Sequence, residues 1–506
     1  MKPSSIQSLL IPCLFLGILI SSCNRPGQKL FTVVPSNTAI AGTFNPGELI
    51  QKADTQHLNS IKNALGNAEL ITEFFENPEM TGIEFNSYSG FFVFGDQQKY
   101  IGLVMPIKKY ADFEDFLDKL DKENANDFKK EEGENFYCSG KGKTTLAWNR
   151  SVFMILSVIN GWDNTPVKTK AAELFNLKAD DCILSQKDFK SFLSNQKEIN
   201  IWLTSNQIGS LTGNNMGMLN MLGAINNNYA HISLDLQDKA IILSSRLRMN
   251  PDFRKSINKY NFIHLDAEKD ILKMLPAENL ILAGNFRLNP ERIIEIYNSL
   301  YSGNQQFLYE FEEETGKKPE DVMRSIQGSF AFSINGISKV KAGNAEETDS
   351  CKKIPVIVAA MQLNDDQFVK DFIEIVKMRE PITEKDGYYI IRSEEVPFFM
   401  GVKNKVILLS NEEKYLSEIL ADGKLKNNLL SLDMSKTLSD NPICLYMNLD
   451  KDSFSREMSD FLDEEIDKKF PMGMKGFGKS VKSLTITGSI EKTELRIEMN
   501  DKKDDK

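Results

Sequence analysis

Past its first two dozen residues the chain has no apolar run approaching the roughly 20 residues that a bilayer-spanning helix needs. It contains only three histidines, His57, His231 and His264, and they are widely spaced. None sits in H-E-x-x-H or another metal-ligand spacing. There is no C-x-x-C pair and no G-x-S-x-G nucleophile elbow. Lys and Arg never gather into the patch that neutralising a phosphate backbone requires, and the formal charge is −10. Nucleic acid is therefore not an expected partner. With 41% hydrophobic residues, the composition is that of a globular chain and not of a disordered one.

What is present begins at the N-terminus. Lys2 is the single charge of a short n-region, and the apolar run Leu9 to Ile20 is too short to span a bilayer, so it reads as a signal h-region. It ends in Ile20-Ser21-Ser22-Cys23, an aliphatic residue, two small residues and a cysteine. This matches the lipobox of bacterial lipoprotein precursors. The match implies that residues 1–22 are removed and that Cys23, lipid-modified, becomes the first residue of the mature chain. Acyl chains contribute about 0.8 kcal/mol per buried methylene, so a multiply acylated cysteine anchors firmly without a transmembrane helix. Residues 23–30 form a short lipidated tether. No acidic cluster follows the cysteine, and Asn24 is not the aspartate that often retains lipoproteins in the inner membrane. By resemblance, the expected address is the outer membrane, facing the periplasm.

Four cysteines remain beyond the anchor: Cys138, Cys182, Cys351 and Cys444. Export would permit disulfides. Two of them lie in strand-like runs, however, which favours small buried hydrophobes.

The body carries an internal repeat. Pro35, Gly42, Phe44, Asn45, Pro46 and Glu48 recur in order as Pro276, Gly284, Phe286, Asn289, Pro290 and Glu291. Gly90-Phe91-Phe92-Val93-Phe94 and the amphipathic run Asp112 to Leu117 correspond to Gly328-Ser329-Phe330-Ala331-Phe332 and Gln367 to Ile373. Ser151 to Ser157 matches Lys405 to Ser410, Ile199 to Leu203 matches Ile443 to Met447, and Met216-Gly217-Met218 matches Met472-Gly473-Met474. So many features in one order indicate a tandem duplication. Strand-like runs alternate apolar and polar residues, as in His231 to Leu236, and helical runs fall between strand pairs. The expected fold class is α+β: two tandem homologous units, each a largely antiparallel sheet with helices packed on one face. The expected boundaries are 31–252 and 253–500, with 253–270 as the join and 501–506 as a disordered charged tail. Leu30 to Val34 is expected to be a strand, Asn45-Pro46-Gly47-Glu48 a helix start, and Lys339 to Lys353 a loop.

The lipobox, the mature start with Val-Pro before an aliphatic strand, and the duplicated plan together resemble an uncharacterised lipoprotein family of Bacteroidetes, a domain of unknown function of about 500 residues. The resemblance implies location and fold, and it supplies no activity or catalytic residues.

Gly473-Met474-Lys475-Gly476-Phe477-Gly478-Lys479-Ser480 fits the P-loop letter for letter. A P-loop needs a strand before the glycines and a helix after them. Here a helical run precedes the loop and a strand-like run follows, so nucleotide binding is not expected. Paired carboxylates at Asp112 with Asp115, Glu312-Glu313-Glu314, Asp365-Asp366 and Glu394-Glu395 match glycosidase chemistry in type only. In an acidic chain such runs are solvated faces. Trp148, Trp162, Trp202, Phe91, Phe92 and Phe94 read as core more than as sugar-stacking platforms.

The sequence thus favours a non-catalytic envelope lipoprotein, a binding or interaction module with no cofactor or metal. Its contacts are the membrane, through lipid on Cys23, and a protein, glycan or lipid partner. The competing reading is an envelope hydrolase, for example a glycan-directed one, whose carboxylates one sequence does not reveal. Replacing Cys23 by Ala, or blocking signal peptidase II with globomycin, is expected to stop processing and move the chain out of the membrane fraction. Unchanged fractionation would rule the anchor out.

Overall fold

The computed structural model describes residues 28–52, 78–95, 98–123, 130–133, 136–139, 143–160, 166–206, 227–261, 263, 269–293, 295, 306–341, 351–378, 380–392, 396–469 and 481–500. The chain is α+β, and its strands pair antiparallel throughout the registers given below. It divides into two compact units. One comprises Met1–Leu236 with Leu247–Asn250, the other Gln237–Arg246 with Pro251–Lys506.

In the first unit β1 (Thr38–Phe44) is central. On one side it pairs with β2 (Ser89–Phe94), and β3 (Lys99–Pro106), β7 (Val152–Asn160), β6 (Thr144–Trp148), β5 (Tyr137–Ser139) and β4 (Glu131–Glu132) follow outward. On the other side lie β8 (Ile199–Thr204) and β9 (Tyr229–Gln237). In the second unit β11 (Leu280–Arg287) is central. On one side stand β12 (Ile326–Lys341), β13 (Cys351–Leu363), β17 (Val406–Ser410), β16 (Pro397–Lys403), β15 (Tyr388–Arg392) and β14 (Ile382–Lys385). On the other stand β18 (Ile443–Asn448), β19 (Val481–Gly488), β20 (Lys492–Met499) and β10 (Ala240–Arg248). Strand for strand, from β4 to β9 and from β14 to β19, the two orders coincide.

Side chains alternate across each strand, and the alternation feeds two cores per unit. Ala41, Phe92, Val104, Met154 and Leu156 pack on one face with α3 (Val167–Phe175) and α4 (Lys187–Phe192). Their sequence neighbours Met105, Phe153 and Trp148 point the other way, onto Phe113 and Phe116 of α2 (Tyr110–Glu123). The second unit, which also holds α5 (Pro251–Tyr260), α6 (Gln306–Thr315) and α7 (Pro319–Arg324), repeats this arrangement. Ala283, Ala331, Val358 and Leu408 meet α9 (Glu413–Asp422) and α10 (Ser435–Asp440), whereas Leu363, Met400 and Ile407 meet Val369 and Ile373 of α8 (Gln367–Lys377). The one-face expectation is thus corrected. Helices cover both faces because the outer strands carry apolar residues at odd and even positions alike.

Three local expectations also change. Leu30 to Val34 is not a strand: Gln28–Val33 is a 3-10 turn that buries Leu30, Phe31 and Val33. Thr32 is exposed between buried neighbours, and an apolar run this short carries no period by which to tell the two apart. The loop at Lys339 to Lys353 is narrower than its composition suggests, since β12 and β13 run on as a two-stranded ribbon as far as Lys341 opposite Cys351. The repeat is also offset at one strand. Gly42 stands opposite Phe91 and Gly284 opposite Phe332, so Phe332 holds the ladder position of Phe91 and not that of Phe94. The sequence match was misled by Gly328, which has φ +108 and sits at a register break with no room for a Cβ beside the Leu288 carbonyl.

The helix start at Asn45 forms as expected. Its Oδ1 accepts from the Glu48 amide at 3.2 Å, and its Nδ2 donates to Glu48 Oε1 at 2.9 Å, a reciprocal cap for α1 (Pro46–Lys52). Asn289 accepts from the Arg292 amide at 3.4 Å in the same manner. At the far end of α1, Lys52 pairs with Glu198, whose side chain is only 7% exposed. Glu198 also accepts from the Leu236 amide at 3.0 Å, and Lys52 donates to the Leu236 carbonyl at 2.7 Å. The pair therefore ties α1 to β8 and β9. Burial alone would raise the Glu198 carboxyl. The Lys52 hydrogen bond, two backbone amides and the Lys52 charge outweigh burial and hold it below its ordinary value.

A carboxyl depressed in the folded state stabilises the fold above its unfolded pKa and stops doing so as pH falls through the folded value. Glu198→Gln is accordingly expected to lower stability at pH 7 by about 1.5–3 kcal/mol, the range for hydrogen bonds to charged groups. The deficit should shrink towards nothing in acid, as denaturant titrations across pH would show; a pH-independent deficit would refute the account. Gly42→Ala is expected to cost about 1–3 kcal/mol, because its Cβ would overlap both the Phe91 ring and the Asn200 carbonyl. Gly284→Ala meets only the movable Phe332 ring and should cost less. Equal urea midpoints for the two would contradict this.

Candidate interaction surface

Several residues singled out in the sequence lie outside the described residues: Cys23, His57, His264, Trp162, Glu394-Glu395, Met216 to Met218 and the P-loop-like Gly473 to Ser480. His231 is half-buried on β9, its ring edge-on to Phe192 at 4.8 Å between centroids, which is packing geometry. Trp148, Trp202, Phe92 and Phe94 are core residues, as expected. Cys138, Cys182 and Cys444 are buried free thiols. Burial pushes the Cys444 thiol up to about 12 and raises that of Cys138, the wrong direction for a nucleophile or metal ligand.

The flagged carboxylates are dispersed. Asp115, Glu312 to Glu314, Asp365 and Asp366 are exposed, and Asp112 faces Lys109 at 3.3 Å. Elsewhere, hydrogen bonds hold carboxyls down. Lys130 does this for Glu114, ahead of the opposing effect of burial, Tyr388 and Lys385 for Glu413, and Lys339 and Lys353 for Glu457. At Asp371 burial would raise the carboxyl, but Lys317 and Gln367 outweigh it. A glycosidase acid needs a carboxyl raised by its surroundings. Glu114 lines a half-open cleft with Asp118, Asp121, Ser139 and Trp148, already occupied by its Lys130 partner. Among the described residues no three His, Cys, Asp or Glu side chains gather as a metal would require, and no helix is long and apolar enough to cross a membrane.

The least ordinary surface is a sheet face. Residues directly opposite in antiparallel strands share a face, so the registers of the second unit define rows across seven strands. One row runs Ile357, Ile334, Leu282, Met447, Leu484, Ile497, Ile241. The next runs Ala359, Phe332, Gly284, Leu445, Ile486, Leu495, Leu243. Neither contains a charged or hydrogen-bonding side chain. Phe286, Phe330 and Phe332 cluster beside them with centroids 6.0 to 6.3 Å apart. Leu243 is 40% exposed, Phe330 37% and Ile357 36%.

The reverse side of β19 and β20 is polar, with Thr485, Thr487, Glu494, Arg496 and Glu498, and Arg496 pairs with Glu498 at 3.1 Å. The apolar side is therefore the side these strands are patterned to cover. At about 4.8 Å per strand, seven strands make a face roughly 30 Å wide. The first unit carries a smaller counterpart in Phe91, Val93, Ile201 and Leu203, with Ile101 43% exposed. Alternation in β18 to β20 was legible in the sequence. That the apolar side would be the one without α9 and α10 was not, because it depends on which strands pair.

Two crystal forms of TP0453 are similar at 10% sequence identity. Form III has a TM-score of 0.27 and covers 49% of this chain and 90% of that one. Form I has a TM-score of 0.26 and covers 54% and 97%. No curated protein matches. Residues 45–454, most of the chain, match the family model described as Domain of unknown function (DUF4836), and the protein belongs to that family.

Proposed function

We propose that the protein is a lipid-anchored component of the cell envelope that works by binding, with the open sheet face of the second unit as its docking surface. The observation that carries this reading is the pair of apolar rows from β13 to β10, uninterrupted by charge and backed by a polar reverse side. Cys23, by its lipobox, is the anchor, and the outer membrane facing the periplasm is the address; the likeness to Bacteroidetes lipoproteins supports both. The units are read as tandem copies of one ancestral α+β unit. The coincident strand orders, the two Asn-Pro helix starts and the two glycines beneath phenylalanines support that origin. Binding suits this surface better than catalysis does, since the carboxyls of Glu114, Asp371, Glu413 and Glu457 are held down by their partners and the three thiols are buried.

The test is site-specific photo-crosslinking in the native envelope. Benzophenone side chains at Leu243 and Phe330 are expected to give discrete adducts, lost when Leu495 is changed to Glu, while one at exposed Glu313 gives none. Equal labelling from all three positions, or none from any, would sink the reading.

A further inference from the structure

We propose that the open face of the second unit binds the acyl chains of a single anionic amphiphile, with Lys339 and Lys353 meeting its head group. This rests on reading that face as a docking surface and names what docks.

The chemistry of the surface selects the occupant. A protein partner of ordinary size brings about ten hydrogen bonds to its interface. The rows above offer no side chain to make them. Their backbone groups are spent as well, because β11, β12, β18, β19 and β20 each pair on both sides. Hydrocarbon asks for no such bonds, and burying it against Leu, Ile and Phe returns about 25 cal/mol per Å². An acyl chain spans about half of a ~30 Å hydrocarbon core, so the face has length to spare.

Two cations stand together beyond the β12–β13 end of the face. Along β13, Ile357, Pro355 and Lys353 alternate onto the same face, and Lys339 stands directly opposite Lys353. Both ammonium groups reach one carboxylate, Glu457, at the start of α11 (Arg456–Lys469), at 3.0 and 3.3 Å. Two cations on one anion leave a net positive charge beside an apolar floor, the complement of a carboxylate or phosphate head with a hydrocarbon tail.

The experiment titrates the full mature chain with cis-parinarate below its micelle concentration and then displaces the probe with oleate. Saturable binding is expected, weakened at least tenfold by Ile357→Glu, a position on the face beside Lys353 and already 36% exposed, with the far-UV spectrum and thermal midpoint held. Leu282→Glu, in the same row two strands away, should act likewise; if it unfolds the protein, Ile357→Glu carries the test. Lys339→Gln with Lys353→Gln should weaken oleate at least threefold and leave oleyl alcohol unchanged. Non-saturable binding, binding untouched by Ile357→Glu, or uptake only in the presence of vesicles would each overturn the proposal, the last in favour of bilayer docking. Should parinarate fail while crosslinkers at Leu243 and Phe330 still capture an envelope protein, this inference falls and the docking reading stands; if both fail, both fall.

Discussion

A β-strand sends successive side chains to opposite faces, and this chain fills both faces with apolar residues. That single constraint organises the rest. Where a strand is apolar at every position, as in Phe153-Met154-Ile155-Leu156 of β7, helices are needed above and below, and the first unit supplies α3 and α2. Where only alternate positions are apolar, as in β19 and β20, one side meets water and the other must find cover. Of the helices that join the four cores, α3, α4, α9 and α10 lie on one side of the sheet and α2 and α8 on the other side of the outer strands, so none of these six covers the apolar side of β18 to β20 and β10.

The central strands show how closely the two faces are coupled. Ala41-Gly42 and Ala283-Gly284 place a methyl group on the helix-covered side and nothing on the other. The missing Cβ leaves the space into which Phe91 or Phe332 folds back over its own sheet. Polar groups inside are handled with similar economy. Asn200 donates to the Lys197 carbonyl at 2.7 Å and to Thr43 Oγ at 3.1 Å, and Asn285, on the neighbouring strand of the other ladder, donates to the Leu438 and Asn441 carbonyls. Each asparagine satisfies the loop that leads into or away from a central pairing. A buried amide left without such a partner would cost about 1–3 kcal/mol, so these residues also fix the register on which the apolar rows depend.

Much of this was legible in the chain and some was not, for identifiable reasons. The α+β class follows from short alternating runs broken by amphipathic segments such as Gln367 to Ile373. The Asn-Pro helix starts and the buried cysteines follow from residue type. Leu30 to Val34 reads as a strand because a short apolar run with one polar residue, Thr32, fits a strand and a 3-10 turn equally well. The Gly90–Gly328 match failed because two glycines serve different needs. Gly328 answers to its positive φ, whereas Gly284, opposite Phe332, answers to a ring above it. The apolar rows were beyond sequence reading altogether. Leu445, Ile486, Leu495 and Leu243 become one surface only through the pairings of β18, β19, β20 and β10, which bring residues more than 200 positions apart side by side.

A surface of this kind is costly to keep. Each Leu or Ile left about a third exposed forgoes roughly 0.5–1 kcal/mol relative to full burial, and contiguous apolar patches invite association. A protein that needed the face only for folding could have removed the liability by patterning β19 and β20 for a helix on that side, as β7 and β17 are patterned. It could equally have interrupted the rows with a single lysine, the usual defence of exposed sheet. Lysines do occur in this unit, but Lys339 and Lys353 stand at the end of the rows and not within them. Charge at the rim and none within the rows is the distribution that the proposed docking surface calls for.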